Sequence, residues 1–298
     1  MFFAGLRSAS AVFSSATAYG SGVCALQAQR NMATLKETAM RLKSINNIGK
    51  ITKSMKMIAS TKVTRAQRTM EQARIYGSVG ASLFSHVGTP TTKGDDALVI
   101  TVSSDRGLCG GIHSSVSKAT KRFIAAHPNA SSAVLGAKAR SQVARECRDR
   151  IFMSADGITK NLPTWYEAAV IGDSILANKP EFDSASIVYN SFKSLIAYEA
   201  AIMDLPSTKA LAAAPKLAAY EFEEELLQNY QEFTLANSLH WAIAEGYASE
   251  ISAKRAAMEN ATKNAGDMVQ RLTLIYNRSR QASITNDLID IITGASAM

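Results

Sequence analysis

The chain has 298 residues, is 47% hydrophobic and carries a net charge of +8 at pH 7. That length suits one large domain or two ordinary ones, and no stretch reaches the roughly 18 uncharged apolar residues of a membrane-spanning helix. The three cysteines, Cys24, Cys109 and Cys147, are too few for a disulfide framework and form no CxxC pair. The composition therefore argues against a membrane-inserted chain and favours a reducing compartment.

Residues 1–32 have the composition of a targeting segment. No Asp or Glu precedes Glu37, Ser and Ala are frequent, and Arg7 and Arg30 supply positive charge. These are the properties of a mitochondrial transit peptide. We predict that this segment is such a peptide, removed near Met32–Ala33, with a merely disordered tail as the alternative.

Residues 33–88 follow a helical pattern with one basic face. Thr34 and Glu37 have the spacing of a capping box, which predicts that a helix begins there. Small or flexible apolar residues then recur every three or four positions, as in a helix that packs closely on another. The opposite face carries Lys43, Lys50, Lys53, Lys56, Lys62, Arg65 and Arg68. A solvated face is the ordinary interpretation of such a stripe, but charges of one sign repel each other unless an acidic partner lies nearby.

Residues 89–210 change to alternating strand and helix patterns. A loop rich in Gly and Thr around residues 88–94 marks the boundary. Buried strands are predicted at 97–103, 133–136 and 185–190, the last continuing through 194–198, and helices are predicted at 112–126, 139–150 and 164–177. This alternation predicts a small parallel or mixed α/β domain of Rossmann-like type.

Residues 211–298 form a second long helical segment, in which no proline follows Pro215. Apolar or small residues recur at heptad spacing, the pattern of a coiled-coil seam. The predicted seam includes Ile251, Met258, Met268, Leu272 and Ile275. Because residues 33–88 carry a matching seam, we predict a long antiparallel two-helix coiled coil with the α/β domain inserted at one end.

The glycine-rich turn at residues 103–111 is the first candidate for a ligand site, because it joins a strand to a helix. It contains neither GxGxxG nor the GK[ST] of a P-loop, so a tight structural turn is the better interpretation, with Asp105 and Arg106 as an alternative docking contact. Cys109 precedes His113 by one helical turn, which is weak support for a nucleophile. The four histidines form no ligand cluster. No catalytic, metal or cofactor site is therefore predicted.

Three groups of residues resemble one family in the same order along the chain. The first is Ala33-Thr-Leu-Lys followed by Ile48-Gly-Lys-Ile-Thr-Lys-Ser-Met-Lys-Met-Ile-Ala59, and the second is Ser104-Asp-Arg-Gly-Leu-Cys-Gly-Gly-Ile-His113. The third comprises Met258-Glu-Asn-Ala-Thr-Lys-Asn-Ala265 and Tyr276-Asn-Arg-Ser-Arg-Gln-Ala-Ser-Ile-Thr285. They resemble the gamma subunits of F-type ATP synthases over residues 33–298, and the presequence indicates the mitochondrial form.

The resemblance implies a rotor that is not itself an enzyme. In that family the shaft couples rotation of the membrane c-ring to the binding changes of catalytic subunits that make ATP from ADP and phosphate, driven by proton transport. The implied partners are the alpha and beta subunits of the catalytic hexamer, the delta and epsilon subunits of the central stalk, and the c-ring. No cofactor is expected on this chain, since ATP, ADP and Mg belong to partner subunits. The implied location is the matrix side of the mitochondrial inner membrane, as a peripheral subunit.

The resemblance also implies roles for particular residues. Arg280 and Gln281 match the family's pair that hydrogen-bonds a catalytic subunit, with Arg278 close by. Met55 and Lys56 match the shaft segment that faces acidic lever loops of the catalytic subunits. The apolar tip, which would turn in a nonpolar sleeve, comprises Ile284, Leu288, Ile289, Ile291 and Ile292.

Two other classes compete with this interpretation. A basic coiled-coil nucleic-acid binder would explain the charge of residues 33–76, but that segment lacks interleaved aromatic residues and a known base-reading module. An α/β enzyme with helical oligomerisation arms would need a cofactor turn or a catalytic group, and none is predicted. We therefore expect no nucleic-acid partner.

Overall fold

The computed structural model describes residues 34–88, 96–179, 182–221 and 223–297. The predicted transit peptide lies outside the described residues. Helix α1 spans Leu35–Val87. It begins with the predicted capping box, because the Glu37 N–H donates to Thr34 Oγ1 at 3.3 Å and the Thr34 N–H donates to Glu37 Oε2 at 3.2 Å.

The centre of the chain forms a five-stranded mixed sheet. Its strands are β1 (Ala97–Val102), β2 (Ser131–Leu135), β3 (Ile151–Ala155), β4 (Ser184–Phe192) and β5 (Tyr198–Pro206), in the spatial order β3-β2-β1-β4-β5. The first four strands are parallel to their neighbours, and β5 is antiparallel to β4. The predicted mixed α/β domain is thus confirmed, with two strands more than the sequence indicated.

The sequence prediction missed β3 and β5 for different reasons. Strand β3 is a short edge strand in which half-buried and exposed residues alternate, so it lacks the continuous apolar run of the central strands. Strand β5 differs from the prediction because residues 194–198 do not continue β4. Instead, the N–H groups of Lys193 and Ser194 donate to the Ala197 carbonyl, at 3.2 and 3.0 Å, and turn the chain into a hairpin.

The remaining helices are α2 (Ile112–Ala126), α3 (Ala137–Val143), α4 (Trp165–Asn178), α5 (Thr208–Ala212) and α6 (Glu224–Ser296), with 3₁₀ turns at Arg148–Arg150 and Leu217–Ala219. Two predicted helix bounds were wrong. The helix predicted at 139–150 ends at Val143, and the long C-terminal helix begins at Glu224 and not near residue 211. In the latter region Leu217 is buried in a cluster with Val87 and Ala214, so packing on the end of α1 directs the chain there.

The core extends over both faces of the sheet. On one face, α4 and the first half of α6 cover side chains such as Leu98, Ile100 and Ile187. On the other, α2 packs on Val99 and Val188. The first half of α6 is buried on more than one side, because it also packs on α1, and the small α1 side chains there let the two helices approach closely. The cluster between them comprises Val63, Ala66, Met70, Phe192, Tyr247, Ala248 and Ile251.

The α/β domain is inserted between the two long helices, as predicted, and its place at one end of the helix pair stays a prediction. The chain divides into two compact units, of which Ile48–Ala265 is one and the stretches up to Asn47 and from Gly266 are the other. The sheet packs alongside both long helices within the first unit, because α6 presents apolar residues on the face toward the sheet and on the face toward α1. No described helix is long and apolar enough to cross a membrane.

Candidate functional site

The glycine-rich turn after β1 connects three loops at the carboxyl ends of parallel strands. The Asp105 carboxylate accepts the Ala137 N–H through Oδ1 at 2.8 Å and the Gly157 N–H through Oδ2 at 2.7 Å. Ala137 follows β2 and Gly157 follows β3, so one side chain joins the ends of β1, β2 and β3. Such charge-assisted bonds to N–H groups are stronger than neutral ones, and they explain why an acid is needed at this position.

The close approach of this turn to the β2–α3 connection requires glycine. A Cβ at Gly136 would lie 2.9 Å from the Ser103 carbonyl carbon, and Gly136 has a φ of +101°. Both features exclude larger residues without a backbone shift. The geometry agrees with the interpretation of residues 103–111 as a tight structural turn.

His113 belongs to the same buried network. Its Nε2–H donates to the Arg106 carbonyl at 2.9 Å, so Nδ1 of the neutral ring accepts the Ser103 hydroxyl at 2.9 Å. Burial lowers the pKa of His113, which is consistent with the neutral form. Both ring nitrogens are therefore occupied by partners other than Cys109.

Cys109 is unsuited to nucleophilic chemistry. Its side chain is buried, and the thiol points to the Gly107 carbonyl at 3.2 Å. Burial, with the nearby Glu250 carboxylate, raises the pKa of Cys109 to about 12, so the thiol is protonated at neutral pH. The structure thus contradicts the weakly supported nucleophile hypothesis, and it gives the motif a structural role.

Two ion pairs link α1 to α6. Arg74 Nη2 lies 2.8 Å from Glu245 Oε1, and Lys56 Nζ lies 2.9 Å from Glu259 Oε1. Neither Glu245 nor Glu259 was predicted from the sequence as a partner of the basic face of α1. The predicted contact residue Lys56 thus already has an acidic neighbour within the chain, and Met55 beside it is half-buried.

The predicted contact residues Arg278, Arg280 and Gln281 lie on the exposed last part of α6. The tip residues beyond them are also exposed, Ile284 by 58% and Ile291 by 71%, for example, and Leu288, Ile289 and Ile292 by similar fractions. Large apolar side chains that lie open along successive helical turns mark an interaction surface.

The residues predicted for the seam occupy different environments. Ile251 and Met258 are buried and Leu272 is half-buried, whereas Met268 and Ile275 are 50% and 56% exposed. Ile251 and Met258 belong to the compact unit Ile48–Ala265, and Met268, Leu272 and Ile275 belong to the other unit. Beyond Ala265, packing of α6 on α1 along this seam stays a prediction.

Comparison with known proteins identifies the family. The family model described as ATP synthase matches residues 34–298. The mitochondrial gamma subunit of the ATP synthase F(1) complex of Rattus norvegicus is 44% identical over 273 residues, covering 89% of this chain and 100% of the relative. That of Yarrowia lipolytica is 43% identical over 276 residues, covering 91% of this chain and 94% of the relative. The chain belongs to the gamma subunits of ATP synthase.

Solved structures agree with this membership. The central stalk and c-ring structure of the Tetrahymena thermophila mitochondrial ATP synthase contains a chain that is 28% identical, with a TM-score of 0.61, covering 71% of this chain and 99% of that one. A chain of the Euglena gracilis mitochondrial ATP synthase matches the fold with a TM-score of 0.71 at 20% identity, covering 89% of this chain and 94% of that one.

Family membership assigns this chain to the mitochondrial ATP synthase as a non-catalytic component, which contributes to ATP synthesis coupled to proton transport. Within the described parts of the chain, no group of three His, Cys, Asp or Glu side chains is placed to hold a metal ion. Near the glycine-rich turn, Asp105 and His113 bond to other parts of the fold. The surfaces of the long helices are therefore the candidate functional sites.

Proposed function

We propose that this chain is the central rotor shaft of a mitochondrial F-type ATP synthase and couples rotation of the c-ring to the binding changes of the catalytic subunits. The proposal rests on the exposure of the last part of α6. Every residue from Gln281 to Ala297 is exposed in this chain, which belongs to the gamma family. A helix of this kind needs a surrounding partner, because its apolar residues would otherwise face water.

The apolar tip suits a sleeve formed by the alpha and beta subunits. Its large side chains, Ile284 and Ile291 among them, offer non-directional apolar contacts, which resist rotation less than fixed hydrogen bonds do. The delta and epsilon subunits and the c-ring are the proposed partners of the α/β domain. The proposed location is peripheral, on the matrix side of the inner membrane.

The proposed catalytic-subunit contacts are polar positions on the shaft. Arg280 and Gln281, with Arg278 nearby, are exposed on α6 and free to donate hydrogen bonds. Charge-assisted contacts of this kind contribute about 1.5–3 kcal/mol each, enough to favour one rotor angle without locking it. Lys56 would reach an acidic loop only by exchanging or sharing its ion pair with Glu259.

The nucleotide chemistry belongs to the partner subunits in this proposal. Nothing in the residues of the glycine-rich turn provides a P-loop, and the thiol of Cys109 is held protonated. ATP, ADP and Mg are accordingly assigned to the catalytic subunits, and this chain contributes the asymmetric surface that changes their affinity.

The decisive experiment replaces Arg280 and Gln281 together with alanine in the assembled complex. Gln270 and Arg271 supply a matched control, because they are the same two residue types, exposed on the same helix. We expect the Arg280→Ala, Gln281→Ala variant to lower ATP synthesis and hydrolysis together, with unchanged helicity. The Gln270→Ala, Arg271→Ala control should retain most of both activities.

Unchanged turnover of the first variant would contradict the contact assignment. Co-purification addresses the wider proposal separately: the epitope-tagged chain should bring down a ring of nucleotide-binding subunits. A chain that assembles without them would overturn the rotor function itself.

A further inference from the structure

A polar cleft of about 510 Å³ opens within the compact unit Ile48–Ala265, outside every surface assigned above. It lies where α1, the loop between β3 and α4, and α6 come together. Its lining residues are Thr61, Lys62, Arg65, Lys160, Asn161, Leu162 and Tyr247. The volume lies within the range of about 300–1,000 Å³ typical of small-molecule sites.

The three cations of this cleft have no ion-pair partner among the described residues. Among the residues that the structure describes, Lys62, Arg65 and Lys160 form no ion pair, and no carboxylate lines the cleft. By contrast, Lys56 and Arg74, which lie on α1 on either side of the cleft, are each paired with a glutamate of α6. Three cations around one cavity repel each other, and a bound anion would remove that cost.

The wall that carries Lys160 is held in place by the turn after β1. The Arg106 guanidinium donates to the Lys160 carbonyl, and the Lys160 N–H donates to the Gly157 carbonyl at 3.4 Å. The Gly157 N–H is itself bonded to Asp105. The loop is therefore positioned by backbone contacts, which leave the Lys160 ammonium group free to face a ligand.

The floor of the cleft is the buried side chain of Tyr247, 5% exposed. Burial raises the pKa of its hydroxyl, the charge of Arg106 opposes that rise, the Glu250 carboxylate adds to it, and the charge of Arg65 opposes it. Both guanidinium groups thus lie close enough to the phenol to act on its charge. Together with the Thr61 hydroxyl and the Asn161 amide, this phenol gives the cleft neutral hydrogen-bond donors beside its cations.

We propose that this cleft binds a small soluble anion bearing two or three linked phosphate groups. Lysine and arginine are the preferred ligands of phosphate oxygens, arginine through its fork of N–H donors and lysine as a compact charge. Linked phosphate groups carry more negative charge than a single carboxylate and offer more oxygen acceptors to the cations of α1 and the loop. An acidic segment of a partner protein is the alternative, and the experiment below distinguishes it.

The test measures pyrophosphate binding to the purified full-length chain by isothermal titration calorimetry, at constant ionic strength and with sulfate as the comparison anion. We expect Arg65→Gln and Lys160→Gln each to weaken binding about tenfold, as the loss of one charge-assisted contact implies. The matched controls are Arg68→Gln and Lys53→Gln, which remove the same charges at exposed positions of α1 outside the cleft. Each control should change the affinity less than about twofold.

Three results would overturn the proposal: no detectable binding of pyrophosphate, equal weakening by the controls, or equal binding of sulfate. In the first case, binding of an acidic peptide instead would favour a segment of a partner protein. Circular dichroism checks that each variant keeps its helices, which we expect because the substituted side chains are exposed.

A second measurement needs no variants. Pyridoxal phosphate, followed by borohydride reduction and peptide mass spectrometry, should label Lys62 and Lys160, and pyrophosphate should protect them but not Lys53. Equal protection of all three lysines would contradict a specific site. Either failure would leave the rotor function untouched, since that is tested at Arg280 and Gln281.

Discussion

Arg74 and Glu245 form an ion pair between α1 and α6, with Arg74 Nη2 2.8 Å from Glu245 Oε1. The Glu245 side chain is only 2% exposed. Its oxygens also accept the Trp241 indole N–H at 2.8 Å and the Phe192 main-chain N–H at 3.2 Å. One buried carboxylate thus joins both long helices to the end of β4.

Removing Arg74 should be costly, because it leaves this carboxylate buried without its counter-charge. Breaking a fully buried pair costs about 3–5 kcal/mol. Because the Arg74 side chain is 42% exposed, we expect Arg74→Ala to lower the free energy of unfolding by about 2 kcal/mol. Urea unfolding of the full-length chain measures it.

The control for this change is Arg68→Ala, which removes an exposed arginine from the same helix. It should alter the free energy of unfolding by no more than about 0.5 kcal/mol. Equal effects of the two substitutions would show that the pair with Glu245 contributes nothing specific.

The pair Lys56–Glu259 allows a charge-swap experiment that separates two roles of Lys56. Both side chains are more than a third exposed, at 36% and 39%, and the hydrogen bond and charge of Lys56 lower the pKa of Glu259. Lys56→Glu should reduce proton pumping per ATP in the assembled complex, since it places a carboxylate where acidic lever loops are proposed to approach. It also sets two carboxylates against each other on the helix pair.

The double variant Lys56→Glu, Glu259→Lys restores the ion pair with its sign reversed. We expect it to recover the thermal stability lost by the single variant but not the pumping ratio, because α1 still presents an acid to the partner. Full recovery of coupling would mean that Lys56 acts only within the chain, and that the proposed lever-loop contact is wrong.

The buried Glu250 side chain should give the stability of the folded protein an unusual pH dependence. It is 1% exposed, and burial raises its pKa from the model-compound value of 4.5, with the Ser104 hydroxyl and the Arg106 charge opposing the rise. Above pH 4.5 the folded state therefore keeps a proton that the unfolded state loses, so this group lowers stability as the pH rises toward its folded pKa. Glu250→Gln removes that loss.

We compare the melting temperature of Glu250→Gln with that of the wild type at two pH values. The variant should melt at a higher temperature than the wild type, and this difference should be larger at about pH 7 than at about pH 4. The lowered pKa values of His113 and His240 have the opposite effect, because they make stability rise toward pH 6.5. The variant and the wild type both contain these histidines, so their contribution cancels in the melting-temperature difference. Glu232→Gln, at an exposed position of α6, should show no such trend. A constant difference across this range would contradict a destabilising buried carboxyl group.

The elements that sequence patterns located best are those with local determinants. The start of α1 follows from Thr34 and Glu37 alone, since a capping box satisfies its own end groups. The central strands β1 and β4 follow from continuous apolar runs, which only a strand covered on both faces requires. Strand β5 and the true start of α6 escaped notice, because a hairpin after Phe192 and packing around Leu217 depend on neighbours distant in sequence.

The candidate sites also differ in how much of them the sequence indicated. Resemblance alone pointed to Arg280 and Gln281, and the structure adds that they are exposed. The partners of Lys56 and Arg74 and the cleft around Tyr247 had no signal in the sequence, because each combines residues more than a hundred positions apart.

The sequence by itself determined the two long helices, the α/β class and the family, because periodicity, capping and contiguous motifs act over short stretches of chain. Only the tertiary structure decided that the sheet packs alongside α1 and α6, that Glu245 and Glu250 are buried, and that Lys62, Arg65 and Lys160 line one cavity. Burial and charge compensation depend on which distant segments meet, and no local pattern in the chain encodes that.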